Sequence, residues 1–74
     1  MSKFLQLRRQ ARISQNELAQ IVGIDPKLLS MFELGKATPS NELSRKIFEG
    51  IEQILLNNLI QTFQKIKAEI SNEN

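Results

Sequence analysis

The titratable side chains that could carry chemistry in this sequence are ten Lys/Arg and eight Asp/Glu residues, because histidine and cysteine are both absent. The carboxylates and lysines are scattered, and none are paired at a spacing suited to general acid–base catalysis. Without cysteine and histidine, the sequence also lacks disulfides and the common zinc frameworks. We therefore predict that the chain is not an enzyme and has no metal site and no cofactor.

The basic residues are concentrated in the first part of the chain. Residues 1–46 contain eight Lys/Arg and four Asp/Glu, a net charge of +4, whereas residues 47–74 contain two Lys and four Glu, a net charge of −2. The first part is a candidate for contact with a polyanion, and the acidic second part is not. A charge of +4 is also ordinary for a domain surface, so this observation alone does not decide the partner.

The length of 74 residues limits the chain to one domain with a small core. Such a core supplies only about 3 to 5 kcal/mol, and self-association is the support that remains without disulfides or a metal. The N-terminal segment "MSKFLQLRRQ" lacks the apolar run of a signal peptide, and no segment approaches the roughly 18 apolar residues of a membrane span. We expect a cytoplasmic protein without a membrane partner.

Capping residues and helix breakers divide the chain into helices, and no strand-like alternation occurs. The expected helices are about Lys3 to Ala11 behind Ser2, Ser14 to Val22 before Gly23, Asp25 to Leu34 before Gly35, and a last helix behind Ser40 that reaches about Ile70. Gly50 and the pair Asn57-Asn58 are weak points where the last helix could break. The sequence predicts an all-α fold, a small bundle of four to five helices with an extended C-terminal helix.

The second and third predicted helices are joined by a short turn that contains Gly23. The positions that we expect to be buried where these two helices meet are all apolar: Leu18, Ala19, Val22, Ile24, Leu29 and Phe32. This arrangement describes a helix-turn-helix. The alternative is an ordinary αα-hairpin of a small bundle.

The segment "LRRQARISQNELAQIVGIDPKLLSMFELGKATPS" resembles the Xre family of helix-turn-helix regulators, which includes phage repressors and Cro. The resemblance covers Phe4 to about Ile51. The matching positions are Leu7-Arg8, Ser14-Gln15-x-Glu17-Leu18-Ala19, Gly23-Ile24 and Glu33-x-Gly35-Lys36-x-x-Pro39-Ser40. Arg12 stands where the family often has glycine.

The resemblance implies a role for individual residues. Gln15 and the neighbouring Asn16 would contact DNA at the start of the second helix, Gln15 through a phosphate, and Lys36 and Ser40 would contact backbone phosphates. The third helix would be the recognition helix, with Pro26, Lys27, Leu28, Ser30 and Met31 as its contact residues. Arg8 and Glu33 match positions that form an internal salt bridge, which we expect to brace the fold. A plain helix-start role for Gln15 and a merely solvated Lys36 are the alternatives.

Leu28 and Met31 are unusual in a recognition helix, because base edges are mostly read by polar side chains. They lie three residues apart, and we expect them on the face that Leu29 and Phe32 do not use. Three interpretations remain open: contact with thymine methyl groups, part of a protein interface, or ordinary apolar surface.

The C-terminal helix carries an apolar stripe beyond the segment that resembles the family. The stripe, here called the distal stripe, has spacings of 4, 4, 3 and 4 residues and consists of Leu55, Leu59, Phe63, Ile66 and Ile70. A second copy of the same helix could cover it across a two-fold axis. Membrane-surface binding and folding back onto the same chain are the alternatives. We expect a DNA-binding domain over 1–51, a dimerisation extension over 52–70 and a frayed tail over 71–74.

Together these observations predict a dimeric, sequence-specific regulator of transcription that binds double-stranded DNA. We expect a repressor that presents helix 3 of each subunit to an inverted-repeat operator. No residue of the sequence indicates which protein, if any, would antagonise DNA binding. The alternative function is an interaction protein that keeps the fold and binds another regulator through Leu28 and Met31.

Overall fold

The part of the chain that the structure describes consists of four α-helices. A computed structural model describes residues 2–71, and in this range the helices are α1 Lys3–Gln10, α2 Gln15–Val22, α3 Pro26–Glu33 and α4 Asn41–Ser71. The prediction of an all-α fold with an extended last helix is confirmed. Ser71, the first residue of the expected frayed tail, is the last residue of α4. The rest of that tail, 72–74, lies outside the described residues.

The helices begin at the predicted capping residues. In each case a side-chain oxygen accepts a backbone N–H two or three residues later: Ser2 from Phe4, Ser14 from Glu17, Asp25 from Lys27 and Ser40 from Leu43. These bonds satisfy N–H groups that lack a partner within the helix. Gly23 and Gly35 follow α2 and α3 with φ of 85° and 75°, which a residue with a Cβ adopts only at a cost.

Arg12 adopts the same left-handed conformation without being a glycine. Its φ is 58°, in the turn between α1 and α2. Glycine reaches this region without a steric penalty, whereas a residue with a Cβ does not. The turn therefore keeps its shape in this chain at a cost in backbone strain.

The core lies between the three short helices and the first half of α4. Its fully or almost fully buried apolar residues are Ile13, Leu18, Ala19, Leu29, Phe32, Ile47, Ile51 and Ile54. Val22 and Ile24, which were predicted to be buried, are half-buried and pack against this cluster. α2 packs on both α3 and α4, and α1 also packs on both.

Helix α4 continues without a break from Asn41 to Ser71, which answers the question raised by Gly50 and the two asparagines. Gly50 is buried where α4 crosses α2: a Cβ there would lie 3.0 Å from Val22 Cγ2 and 3.2 Å from Leu18 Cδ1. The glycine thus allows the two helices to approach closely. Because α4 is continuous, the segment that carries the distal stripe does not fold back onto the rest of the chain.

The expectation that the core does not account for Leu28 is wrong. Leu28 is half-buried and packs against the core cluster. It precedes Phe32 by four residues, and residues four apart lie on the same face of a helix. Leu28 therefore flanks the core face of α3, whereas Met31, which is 42% exposed, does not belong to it.

Candidate nucleic-acid interface

An ion pair between α1 and the end of α3 holds the third helix in place. Arg8 donates from Nε to Glu33 Oε2 at 2.7 Å and from Nη2 to Glu33 Oε1 at 3.0 Å. Arg8 Nη1 also donates to the backbone oxygen of Ile13 at 3.0 Å. Only 14% of the Arg8 side chain and 3% of the Glu33 side chain are exposed. This two-pronged, buried pair ties α1, the first turn and α3 together.

Gln15 is the third member of this network. Its Nε2 donates to Glu33 Oε1 at 2.9 Å, so the side chain at the first position of α2 bonds to the last residue of α3. The amide is half-buried and already has one partner within the chain. Any contact that Gln15 makes with a phosphate would use its remaining N–H or the backbone N–H groups at the start of α2.

The network sets the charge state of Glu33. Burial raises the pKa of this carboxyl, but hydrogen bonds from Arg8 and Gln15 and the positive charges of Arg8 and Arg9 lower the pKa more. The net result is a pKa below the ordinary value of 4.5. Glu33 is therefore a carboxylate at neutral pH, as the ion pair requires.

The outward face of α3 combines one cation with apolar groups. Pro26, Lys27 and Met31 are exposed and Ser30 is half-buried, while Leu28 lies at the edge of the core. Residues 27, 30, 31 and 34 fall on one side of a helix with 3.6 residues per turn, opposite Leu29 and Phe32. The structure thus brings three of the five predicted contact residues of α3, namely Lys27, Ser30 and Met31, to this face.

Leu34 belongs to this surface and was missed by the sequence-based prediction. It follows α3 directly and is 63% exposed, more than any other large apolar residue outside α4. Its position seven residues after Lys27, two helical turns, was a usable signal.

The remaining predicted contact residues lie outside α3 and are exposed. Asn16 in the first turn of α2 is exposed, as are Lys36 and Ser40 in the connector before α4. Ser40 Oγ already accepts the N–H of Leu43, so its hydroxyl has a fixed orientation. Five further cations of residues 2–46 are exposed: Lys3, Arg9, Arg12, Arg45 and Lys46.

A second feature of the surface is the distal half of α4. The distal stripe is exposed over its whole length, from 44% at Leu55 to 66% at Leu59, and the neighbouring Leu56 and Ile60 are also more than half exposed. The described part of the molecule measures 56 × 20 × 17 Å, because α4 projects beyond the other helices. Seven large apolar side chains within 16 residues therefore lack a covering element in one copy of the chain.

Other kinds of site are not found in the part of the chain that the structure describes. Residues 2–71 contain no group of three or more acidic, histidine or cysteine residues that could hold a metal ion. None of the helices described is long and apolar enough to cross a membrane.

One comparison with known proteins gave a match. A family model described as helix-turn-helix matches residues 5–52, which is more than half of the chain. No curated protein matches the sequence. No solved structure matches it either.

Proposed function

The chain belongs to the helix-turn-helix family of DNA-binding regulators, and we propose that it is a dimeric repressor that reads an inverted-repeat operator with α3. In this proposal α3 of each subunit enters the major groove, and the two helices reach successive grooves on one side of the DNA. The finer assignment to the Xre family, with phage repressors and Cro, is part of the same proposal.

The observation that carries the proposal is the position of α3. The ion pair between Glu33 and Arg8 fixes this helix to α1, and the buried Leu29 and Phe32 lie on the side of α3 that packs in the core. The opposite face of α3 is therefore exposed and held in a fixed position. Lys27 on that face can donate to the O6 and N7 acceptors of guanine. Met31 and Leu34 can contact thymine methyl groups, which are the apolar feature of the major groove.

Phosphate contacts would come from the residues around α3. Lys36 supplies an exposed positive charge after the helix, and the start of α2 supplies backbone N–H groups beside Gln15 and Asn16. These contacts fix the orientation of the protein on DNA without reading its sequence.

Dimerisation is supported by the exposed apolar surface of α4. Eight apolar side chains from Phe48 to Ile70 are 40% to 66% exposed. At on the order of 100 Å² each they offer roughly 800 Å² per subunit, the size of a standard protein–protein interface. A monomer rarely exposes such a continuous patch to water.

Selection of bound sequences from a random DNA pool tests this function. We expect an enriched palindrome whose half-sites lie about 10 base pairs apart or a multiple of this distance. Lys27→Ala should then relax preference at one base pair of each half-site by about 1 to 3 kcal/mol, and Lys36→Ala should weaken binding to all sequences and lower the salt dependence by about one unit. Lys65→Ala on the far half of α4 removes the same charge and serves as the matched control.

The proposal is wrong if no sequence is enriched and if the two lysine variants bind DNA no differently from the Lys65 control. Replacing thymine by uracil in the selected operator isolates the methyl contacts of α3. If uracil lowers the affinity of the unmodified protein but not that of Met31→Ala, the methyl groups are contacted by Met31.

A second candidate function is favoured by the apolar character of the same face. Met31 and Leu34 are 42% and 63% exposed, which would suit a protein partner, such as another regulator, as well as thymine methyl groups. In that case the two residues would be needed for capture of the partner, and binding to DNA would depend only weakly on sequence.

A further inference from the structure

We propose that two copies of the chain pair through α4 in an antiparallel orientation, with the two-fold axis close to Leu59. This inference rests on the proposed dimer and specifies which surfaces meet. In this arrangement residues at equal distances before and after Leu59 face each other across the interface.

The pairing surface begins earlier than the distal stripe. Phe48 lies seven residues, two helical turns, before Leu55 and is 40% exposed. Together with Leu7 of α1, which is 38% exposed, it lines a mostly apolar groove whose other walls are Ile51, Glu52, Leu55 and Leu56. The apolar surface thus continues from the projecting end of α4 into a groove beside α1, and both parts are exposed to water in a single copy of the chain.

An antiparallel partner matches apolar residues along this whole surface. Phe48 and Ile70 each lie eleven residues from Leu59, and Leu55 and Phe63 each lie four residues from it. The projecting end of one α4 therefore reaches the groove of the other copy, where the partner's Ile70 meets Phe48. Leu59, the most exposed member of the stripe, meets its own copy at the axis.

The charges on α4 favour the antiparallel orientation. Glu49 and Lys67 are 18 residues apart, which is five full turns, so they lie on the same edge of the helix. A two-fold axis perpendicular to the helices brings the same edges of the two copies together. Glu49 then lies near the partner's Lys67, and the symmetry repeats this contact.

A parallel pair would place equal residues opposite each other. Glu52 lies four residues after Phe48 and three before Leu55, in the middle of the pairing surface. A parallel pair would bring two Glu52 carboxylates together, and like charges at an interface are unfavourable. In the antiparallel pair Glu52 faces the partner's Ile66, which is followed in the sequence by Lys67.

The antiparallel register also spaces the DNA-binding units. Each unit is attached to α4 through Ile47 and Ile51, which are buried and lie twelve and eight residues before Leu59. With a rise of 1.5 Å per residue, the attachment points of two copies lie about 36 and 24 Å apart along the helix pair. This range is close to the roughly 34 Å between successive major grooves on one side of DNA.

Cysteine cross-linking distinguishes the orientations, because the sequence contains no cysteine of its own. Both Glu52 and Ile66 are exposed, so Glu52→Cys and Ile66→Cys leave the core intact. When the two variants are mixed and oxidised, we expect a cross-link between them and little dimer of either variant alone. Efficient cross-linking of Glu52→Cys to itself would overturn the antiparallel register.

Charge exchange gives an independent measurement. Glu49→Lys and Lys67→Glu should each weaken dimerisation by roughly three- to tenfold, and the double variant should restore it, since the contact is then reversed rather than lost. Additive losses in the double variant would contradict the proposed contact. Sedimentation of the unmodified chain distinguishes a failure of the proposed dimer from a failure of its antiparallel register. A monomer at tens of micromolar would contradict both, whereas a dimer whose cross-links show a parallel pair would contradict only the antiparallel register.

Discussion

The buried ion pair between Arg8 and Glu33 gives the sharpest test of how the DNA-binding unit is held together. Glu33 accepts hydrogen bonds of 2.7 and 3.0 Å from Arg8 and of 2.9 Å from Gln15, with only 3% of its side chain exposed. Glu33→Ala would remove all three bonds. Arg8 would keep only its bond to Ile13, with 14% of the side chain exposed to water.

The expected loss is about 3 to 5 kcal/mol, because removing one partner of a buried pair leaves the other charge uncompensated. This matches the whole stability that a core of this size supplies, so Glu33→Ala should be largely unfolded at low concentration. Arg8→Ala should cost a similar amount. The double variant Arg8→Met with Glu33→Leu should cost far less than the sum of the single changes, since no buried charge is left.

Urea unfolding followed by helical circular dichroism measures these free energies at one fixed protein concentration, because dimerisation would add to the apparent stability. The matched control is the pair Lys46 and Glu42 on α4, which lies 3.8 Å apart with side chains 55% and 70% exposed. Its double-mutant cycle should give less than about 0.5 kcal/mol. A coupling energy between Arg8 and Glu33 as small as that of the control would refute the buried-brace interpretation.

Three further predictions concern stability. Because the pKa of Glu33 is lowered, its ionised form stabilises the fold above pH 4.5, and this contribution is lost as the pH falls through the lower pKa of the folded state. The difference in free energy of unfolding between the unmodified chain and Glu33→Gln should therefore shrink in acid. A difference that stays constant with pH would contradict this prediction. Arg12→Gly should raise the free energy of unfolding by roughly 0.5 to 1 kcal/mol because φ is 58°, whereas Arg9→Gly inside α1 should lower it by a similar amount. Leu28→Ala should lower the thermal midpoint, whereas Met31→Ala should leave it nearly unchanged; equal effects would contradict their different burial.

The ends of the helices could be predicted from the sequence because capping is local chemistry. The hydroxyl of Ser14 or the carboxylate of Asp25 meets an N–H only two or three residues away, so spacing along the chain is enough. The two glycines with positive φ follow from the same local rules. These positions fix the lengths of α2 and α3 and the turn between them.

One buried residue that the sequence-based prediction omitted could also have been found from local rules. Ile13 precedes the cap of α2 and belongs to the same core cluster as Leu18, the fifth residue after it, a spacing typical of a hydrophobic staple. Ile24 and Leu29 repeat this spacing at α3. The recurrence indicates that both entry turns are tied to the core in the same way.

The features that the sequence did not reveal depend on contacts between distant residues. Whether α4 breaks at Gly50 depends on Leu18 and Val22 of α2, which occupy the space of a Cβ. That Gln15 bonds to Glu33 depends on how the start of α2 approaches the end of α3. Leu28 was assigned to the wrong face because a half-buried position at the edge of a stripe looks the same in sequence as an exposed one.

The burial along α4 also decides where the chain can be shortened to test dimerisation. Ile51 and Ile54 are 3% and 5% exposed within the core, so truncation after Gly50 would remove part of the core together with the distal stripe. Loss of DNA binding in that variant would not report on dimerisation. Replacing Leu59 and Phe63, which are 66% and 64% exposed, with polar residues leaves every buried side chain in place. Such a variant should remain folded as a monomer, and its weaker binding to a two-site operator would measure the contribution of the second subunit.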